Sequence, residues 1–270
     1  MLELYNFSQS TCSLKVRICL AEKGLEWTDR RLVSKNHDHL SDWYLKLNPN
    51  GVVPTLIHDG RPVFESSAIM EYLEDVFPEP ALRPADAYGR ARMRSWLGFV
   101  DQVTTPAGRY PSFQFGGLLL KFQSMSDAEF AEKAAKRPLK SAFYNKMDRK
   151  TGFAGAELDE AFNDFRKTAA RMDLMLQESG GPWLLGEQYT LADIAVAPLL
   201  DRQEDLGLEY LWEENNPAVA DWLRQIQARP AYVTAYTHGS RLSDLHPDLE
   251  LGRGTRRHLL DREAAEAAGD

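Results

Sequence analysis

Three small side chains, Thr11, Cys12 and Ser13, stand where a short strand pattern gives way to a helical one. Free backbone N–H groups and the positive end of a helix dipole stabilise an anion there, and a hydroxyl adds a charge-assisted hydrogen bond. We therefore predict that Ser13 stabilises a bound thiolate. Cys12 is a second candidate, as a redox or nucleophilic thiol. Two simpler interpretations stay open: Ser13 caps its helix, and Cys12 fills a core.

A second set of residues flanks a strong turn signal at Asp59 and Gly60. Val53-Pro54 precedes that turn, and Glu65-Ser66 follows it at the start of another helical pattern. Asp-Gly between two strand-like runs predicts an antiparallel hairpin. Ser66 is thereby expected at a helix N-terminus, a second place that favours a bound anion.

The elements that must position these residues alternate over the first eighty positions in the order β-α-β-α-β-β-α. The strand patterns cover Leu2 to Leu4, Trp27 to Val33, Val52 to His58 and Pro62 to Phe64. The helical patterns cover Ser13 to Lys23, Ser41 to Leu47 and the residues from Ser66 to the prolines at 78 and 80. The sequence thus predicts an α/β domain that brings both sets of residues together.

Helical periodicity dominates after Pro84, which predicts an all-α second domain. Its clearest helices are Tyr88 to Val103 and Gly155 to Glu178, and a short one is expected at Asp127 to Ala135 before an irregular excursion that extends to residue 153. We place the domain boundaries at 1–82, 88–235 and 236–270. The last range is charged, and we expect a loosely attached tail with one short helix near Leu259 to Ala267.

Composition excludes several functions. The net charge of -8 and pI near 5.4 argue against a nucleic-acid partner. The first thirty residues lack a signal-peptide pattern, and no apolar run is long enough to span a membrane, so we expect a cytoplasmic protein. Two cysteines, Cys12 and Cys19, suit neither a disulfide framework nor a zinc site, and we expect no metal.

The run from Asn48 to Tyr72, NPNGVVPTLIHDGRPVFESSAIMEY, resembles the glutathione-binding half of the glutathione transferase superfamily. That resemblance implies a thioredoxin-like N-terminal domain, an all-helical C-terminal domain, and glutathione as co-substrate. It further implies a cis Pro54, with the backbone of Val53 paired to the cysteinyl residue of glutathione. Glu65 and Ser66 would hold the γ-glutamyl group, and His39 the glycine carboxylate.

The segments SDWYLKLNPNGVVP, HDG, EYLEDVFPE, LRPAD and MSDAEF resemble the bacterial glutathione-dependent β-aryl etherases. The resemblance implies cleavage of lignin-type ethers, with Tyr110, Phe113 and Phe115 in the pocket of a hydrophobic aromatic electrophile. It also implies a homodimer, although pairing with a related subunit stays open. Where that subgroup carries Ser, often beside Asn, this chain has Cys12-Ser13, which is similar to beta-class transferases and would permit mixed-disulfide chemistry with glutathione.

Two alternatives to the etherase hypothesis remain. A glutathione-dependent dehalogenase or general detoxifying transferase would use the same thiolate. A non-catalytic binding protein would use the same fold without the reaction, since fold alone does not fix function.

Overall fold

The computed structural model describes residues 1–268 and begins with a four-stranded mixed sheet. The strands are β1 (Leu2–Asn6), β2 (Thr28–Arg31), β3 (Thr55–His58) and β4 (Arg61–Phe64). They lie in the order β2-β1-β3-β4, with β1 parallel to β2, and with β3 antiparallel to both β1 and β4. The helices of this half are α1 (Thr11–Glu22), α2 (Asp42–Leu47) and α3 (Ser66–Val76). The predicted order and the thioredoxin-like class are therefore confirmed.

The sheet buries one face against α1 and α3, and β1 shows this by alternating in burial. In β1, Leu2 and Leu4 are buried while Glu3 and Tyr5 are half-exposed. α1 is buried along most of its length, since it packs against α3 on one side and against the helical half of the chain on the other. The N-terminal end of α1 therefore lies at the junction of the two halves.

The second half is entirely helical, as predicted. Its helices are α4 (Ala87–Phe99), α5 (Thr105–Ala107), α6 (Arg109–Phe115), α7 (Leu120–Gln123), α8 (Asp127–Ala135), α9 (Ser141–Asn145), α10 (Gly155–Ser179), α11 (Leu191–Asp205), α12 (Tyr210–Glu213), α13 (Pro217–Gln227), α14 (Pro230–Ala235), α15 (Leu242–Leu245) and α16 (Arg257–Ala268). A π-helical turn, Val100–Thr104, joins α4 to α5. Within residues 1–268, no helix is long and apolar enough to cross a membrane.

α11 is the central helix of this half, and a buried capping box fixes its start. The Thr190 hydroxyl accepts from the N–H of Ala192, and the Asp193 carboxylate accepts from the N–H of Thr190 at 3.0 Å. Asp193 also accepts from the N–H of Leu184 and from the indole N–H of Trp222. These contacts bind three segments together at one fully buried carboxylate.

A buried ion pair anchors the link between the two halves. Lys23, at the end of α1, meets Glu74 of α3 at 2.6 Å, and both side chains are almost fully buried. The Lys23 ammonium also donates to the carbonyls of Phe77 and Pro80, while Glu74 accepts from the N–H of Leu82. Residues 77–86 form neither helix nor strand, and we keep the proposed domain boundary there.

The segment from residue 123 to residue 153 holds α8 at the predicted bounds and packs on a hydrophobic cluster that is rich in aromatic side chains. Its buried members come from α6 to α9 and the following turn: Phe113, Leu119, Phe122, Ala134, Phe143, Tyr144, Met147 and Phe153. A small hydrophobic core of its own thus supports this charged segment.

The expectation of a loosely attached tail beyond Ala235 is wrong. Leu242 is fully buried, and its N–H donates to the Asp205 carboxylate at 2.6 Å. The Arg241 guanidinium binds Asp201 at 2.6 Å, and the N–H of Gly252 donates to the Asp205 carbonyl. Charged residues hold this segment against α11 through specific ion pairs that composition does not reveal. The predicted short helix is present as α16.

Candidate functional site

The loop between β1 and α1 leads into a cavity of about 160 Å³, which we call the α1 cavity. Ser10, Thr11 and Cys12 line it. Ser10 is the N-cap of α1: its backbone is extended, and its hydroxyl accepts from the N–H of Ser13 at 3.2 Å. Because Ser10 Oγ accepts from the helix, its own hydroxyl hydrogen is free to donate into the cavity.

Ser13 lies in the first turn of α1, where the sequence places it, and its role as a thiolate donor stays a prediction. It occupies the third position of α1, its side chain is fully buried, and it does not line the α1 cavity. The helix begins at Thr11 and not near Ser13, so the capping role falls to the serine three residues earlier. The structure thus brings Cys12 to the cavity and leaves Ser13 behind it.

Val53 lines the opposite wall of the α1 cavity, in a loop fixed by two side chains. The Tyr44 hydroxyl donates to the Val52 carbonyl at 2.7 Å, and the Asn48 amide donates to the same carbonyl at 3.0 Å. The Val53–Pro54 bond is cis, as the family resemblance implied. The backbone of Val53 is thereby held at the cavity edge.

Glu65 and Ser66 stand at the start of α3, adjacent to that loop. Glu65 has a positive φ of 69°, a region that non-glycine residues rarely occupy. Its carboxylate accepts from the Asn50 amide at 2.9 Å, which ties the start of α3 to the loop before Val53. Ser66 is buried at the first position of α3. Neither residue lines the α1 cavity itself, but the Glu65 charge interacts with Lys140, which does.

His39 forms part of the cavity wall together with an arginine that the sequence did not suggest. Arg137 Nη1 donates to His39 Nε2 at 3.1 Å, and both residues are buried. Arginine only donates, so Nε2 is unprotonated and the ring proton resides on Nδ1. His39 Nδ1 and Arg137 Nη2 have no hydrogen-bond partner among residues 1–268. This wall therefore presents two buried hydrogen-bond donors that have no acceptor among the described residues.

Burial lowers the pKa of His39 to about 3, and the charges of Arg137 and Lys121 add to that effect. His39 is consequently neutral at neutral pH: its Nε2 accepts from Arg137, and its Nδ1–H is the one donor that the ring offers. The positive charge at this end of the cavity comes from Arg137 and Lys121. Lys121 donates to the Ser34 hydroxyl at 3.2 Å, and burial lowers its pKa to about 8.

The aromatic wall differs in part from the prediction. Phe113 lines the α1 cavity, together with Phe143 and Tyr144 from α9. Tyr110 instead packs edge-on against Phe143 and Phe153, with ring centroids 5.2 and 4.7 Å apart. Phe115 lies outside the cavity under the Arg256 guanidinium, at 5.0 Å.

Basic residues are the feature that sequence reasoning missed. Five lysines and arginines line the α1 cavity, while no carboxylate does among residues 1–268: Arg109, Lys121, Arg137, Lys140 and Arg202. Arg202 is engaged elsewhere, since it donates to the carbonyls of Gln9 and Ser240. The charged sequence from residue 123 to residue 153 predicts a solvated surface. In the folded chain, however, Arg137 and Lys140 face the cavity.

Comparisons with known proteins agree with this architecture. The family model described as glutathione S-transferase, N-terminal domain, matches residues 9–76, and the model for the C-terminal domain matches residues 128–230. Protein LigF from Sphingobium sp. strain SYK-6 is 37% identical over 246 residues, which cover 89% of this chain and 95% of LigF. A tetrachloro-p-hydroquinone reductive dehalogenase from Sphingobium chlorophenolicum is 28% identical over 86% of this chain and 94% of its own length.

Solved structures show the same relationship. The crystal structure of the beta-etherase LigF superposes with a TM-score of 0.77 at 36% identity, covering 87% of this chain and 98% of LigF. A glutathione transferase from Burkholderia graminis, with two glutathione molecules bound per subunit, superposes with a TM-score of 0.65 at 26% identity, covering 89% of each chain. No group of side chains suited to hold a metal ion occurs in the described part of this chain.

Proposed function

Because the chain belongs to the glutathione S-transferase family, we propose that it binds glutathione in the α1 cavity and uses the thiolate to displace a phenoxide from a β-aryl ether. The observation that carries this proposal is the convergence of Ser10, Cys12 and Val53 on one cavity at the N-terminus of α1. The similarity to the beta-etherase LigF supports the choice of electrophile.

In this proposal the tripeptide lies across the edge of the sheet. The γ-glutamyl ammonium pairs with Glu65, and its α-carboxylate meets Ser66 and the start of α3. The cysteinyl backbone pairs with Val53, as an added strand would. The glycyl carboxylate then satisfies the two unpartnered donors, His39 Nδ1 and Arg137 Nη2.

The thiolate is stabilised where α1 begins. We now assign the donor role to Ser10 instead of Ser13, because only Ser10 lines the cavity. A hydroxyl that already accepts from a helix N–H is polarised and donates more strongly. Cys12 lies beside the same position and is the second candidate. A free thiol of pKa about 8.5 is only a few per cent ionised at neutral pH, so a drop of about two units raises the thiolate more than tenfold.

The reaction balances without an added oxidant or reductant. The glutathione sulfur bonds to the carbon that bears the aryloxy group, and the carbon–oxygen bond breaks with its electron pair going to the phenoxide. Water or a cavity cation supplies the proton that converts phenoxide to phenol. Alignment of the carbon–oxygen bond with the thiolate supplies much of the rate by proximity. The products are a phenol and a glutathione thioether of inverted configuration.

A racemic β-aryl ether ketone tests the reaction directly. Chiral chromatography should show one enantiomer consumed first, with phenol released only when glutathione is present. Release of halide from an alkyl halide, with no cleavage of either ether enantiomer, would instead favour a dehalogenase, the activity named for the Sphingobium chlorophenolicum relative. Failure to bind glutathione in calorimetry would favour a non-catalytic protein on this fold.

A matched pair of variants tests the thiol assignment. Ser10→Ala should raise the pKa of bound glutathione, followed by thiolate absorbance near about 240 nm, and should lower turnover. Ser13→Ala serves as the comparison, because it removes a hydroxyl of the same helix turn that does not reach the cavity. A larger pKa change in Ser13→Ala than in Ser10→Ala would return the role to Ser13, and no change in either would move it to Cys12.

We also propose a homodimer, which the family resemblance implies. Light scattering of the purified protein, alone and mixed with a related subunit, separates a homodimer from a monomer and from a mixed dimer.

A further inference from the structure

The α1 cavity carries more positive charge than glutathione uses. In the proposed function, on which this inference rests, glutathione brings two carboxylates. One meets Ser66, and the other meets His39 and Arg137. Lys121 lies at the cavity wall formed by His39 and Arg137, where it donates a hydrogen bond to the Ser34 hydroxyl. Two cavity cations, Arg109 and Lys140, are left without an anion.

Among the described residues, the side chains of the cavity residues Arg109 and Lys140 form no hydrogen bond or ion pair. The Glu65 carboxylate acts on Lys140 only at longer range. Burial, together with the charge of Arg109, lowers the pKa of Lys140 to about 8, while Cys12 and Glu65 act in the opposite direction. A half-buried ammonium beside a second cation is costly unless an anion joins them.

The position of the pair indicates which ligand supplies that anion. Lys140 and Arg109 line the same cavity as Cys12, beside which the proposed glutathione sulfur meets its electrophile. The rings of Phe113, Phe143 and Tyr144 line the same space. An aromatic acid would pack its ring on these side chains and place its carboxylate against Lys140 and Arg109.

We therefore propose that the electrophile is anionic: an aromatic ether that carries a carboxylate, recognised by Lys140 and Arg109. The two cations without an anion favour this substrate class over the hydrophobic aromatic electrophile that the sequence predicts. A neutral ether would leave both cations desolvated and unpaired. The carboxylate converts that cost into two charge-assisted hydrogen bonds.

Binding is measured first, so that the result does not depend on turnover. The protein is loaded with S-methylglutathione, which cannot react, and titrated calorimetrically with an aryl ether ketone bearing a carboxylate or its carboxamide isostere. The acid should bind at least about tenfold more tightly than the amide in the wild type. Lys140→Met should remove most of that preference. Lys136→Met is the matched control, because Lys136 lies on the same turn but is exposed and paired with Glu132.

Three results of the binding experiment would overturn the proposal. Equal affinity for acid and amide in the wild type would show that the cavity does not select an anion. An equal loss for both ligands in Lys140→Met would show that the ammonium acts on something common to them. A loss of affinity for glutathione itself in Lys140→Met, as large as the loss for the acid, would assign the cation to the tripeptide.

Turnover of the same acid and amide separates this inference from the proposed function. Each rate is divided by the uncatalysed rate with glutathione, which corrects for the electronic effect of the substituent. A preference in binding without any phenol release would retain the anionic ligand and reject ether cleavage. Phenol release from the amide at the same corrected rate as from the acid would retain ether cleavage and reject the anionic substrate.

Discussion

Replacing His39 with glutamine should make the protein less sensitive to acid. The wild-type ring is held neutral, because burial, together with the neighbouring Arg137, Lys121, His37 and Lys140, lowers its pKa to about 3. In the unfolded chain the same ring has a pKa of about 6.5. The unfolded state therefore binds the proton first as the pH falls, and stability is lost below about pH 6.5.

The size of the effect follows from these two values. A pH of about 5 lies about 1.5 units below the pKa of the unfolded ring, and each unit is worth about 1.36 kcal/mol of unfolding free energy. His39 alone should thus cost about 2 kcal/mol of unfolding free energy between about pH 7 and pH 5. The figure is insensitive to the folded pKa, provided that this pKa stays below about 4. Glutamine accepts from Arg137 in the same way but does not titrate.

Urea unfolding of both proteins at about pH 7, 6 and 5 provides the assay. The wild type should lose about 2 kcal/mol more than His39→Gln over this range, beyond the loss common to both. His37 titrates in the same direction, since burial lowers its pKa to about 4, and it remains in both proteins. His258→Gln, at an exposed position of α16, is the control. Parallel curves for wild type and His39→Gln would refute the neutral, buried histidine.

Three further changes test other parts of the fold and site. Asp193→Ala leaves three buried N–H groups and the Thr190 hydroxyl without their acceptor and should cost about 3 kcal/mol or more in urea unfolding, whereas Asp221→Ala on the exposed face of α13 should cost little. Leu242→Ala should lower the free energy of unfolding by about 2 to 5 kcal/mol, and the partly exposed Leu245→Ala by much less; equal small losses would restore the loosely attached tail. Glu65→Gln should weaken glutathione binding about ten- to hundredfold in calorimetry, and unchanged affinity would remove Glu65 from the tripeptide site.

The N-terminal half was predictable because its signals are local. The alternation in β1, the Asp59-Gly60 turn and the helical period of α3 each lie within a few residues, so pattern and structure agree. The start of α1 was not predictable to the residue. Ser10 and Ser13 are both good N-caps three positions apart, and only the backbone decides which one is extended. The candidate thiol donor changed with that decision.

The basic wall of the α1 cavity was not predictable from the sequence, for a different reason. Arg137 and Lys140 stand in a charged, weakly periodic stretch, which is typical of a solvated surface. Their inward direction depends on the aromatic cluster beneath α8 and α9, whose contacts join residues up to about forty positions apart. The attachment of the tail was unpredictable for the same reason, because Arg241 and Asp201 are forty positions apart. Long-range pairing of this kind leaves no short-range signal.

The turn between α8 and α9 touches both ends of the proposed site. Arg137 meets His39, Lys140 lines the α1 cavity together with Cys12, and Pro138 packs so closely on the Val53 loop that a Cβ at Gly51 would lie 3.1 Å from its ring. Three residues of one short turn thus contribute to the proposed binding sites of both substrates. Directed evolution toward a new electrophile should accumulate substitutions in this turn and should alter glutathione affinity as a side effect. A substitution in this turn that favours one substrate therefore also changes the binding of the other, and this coupling limits how freely the enzyme can evolve.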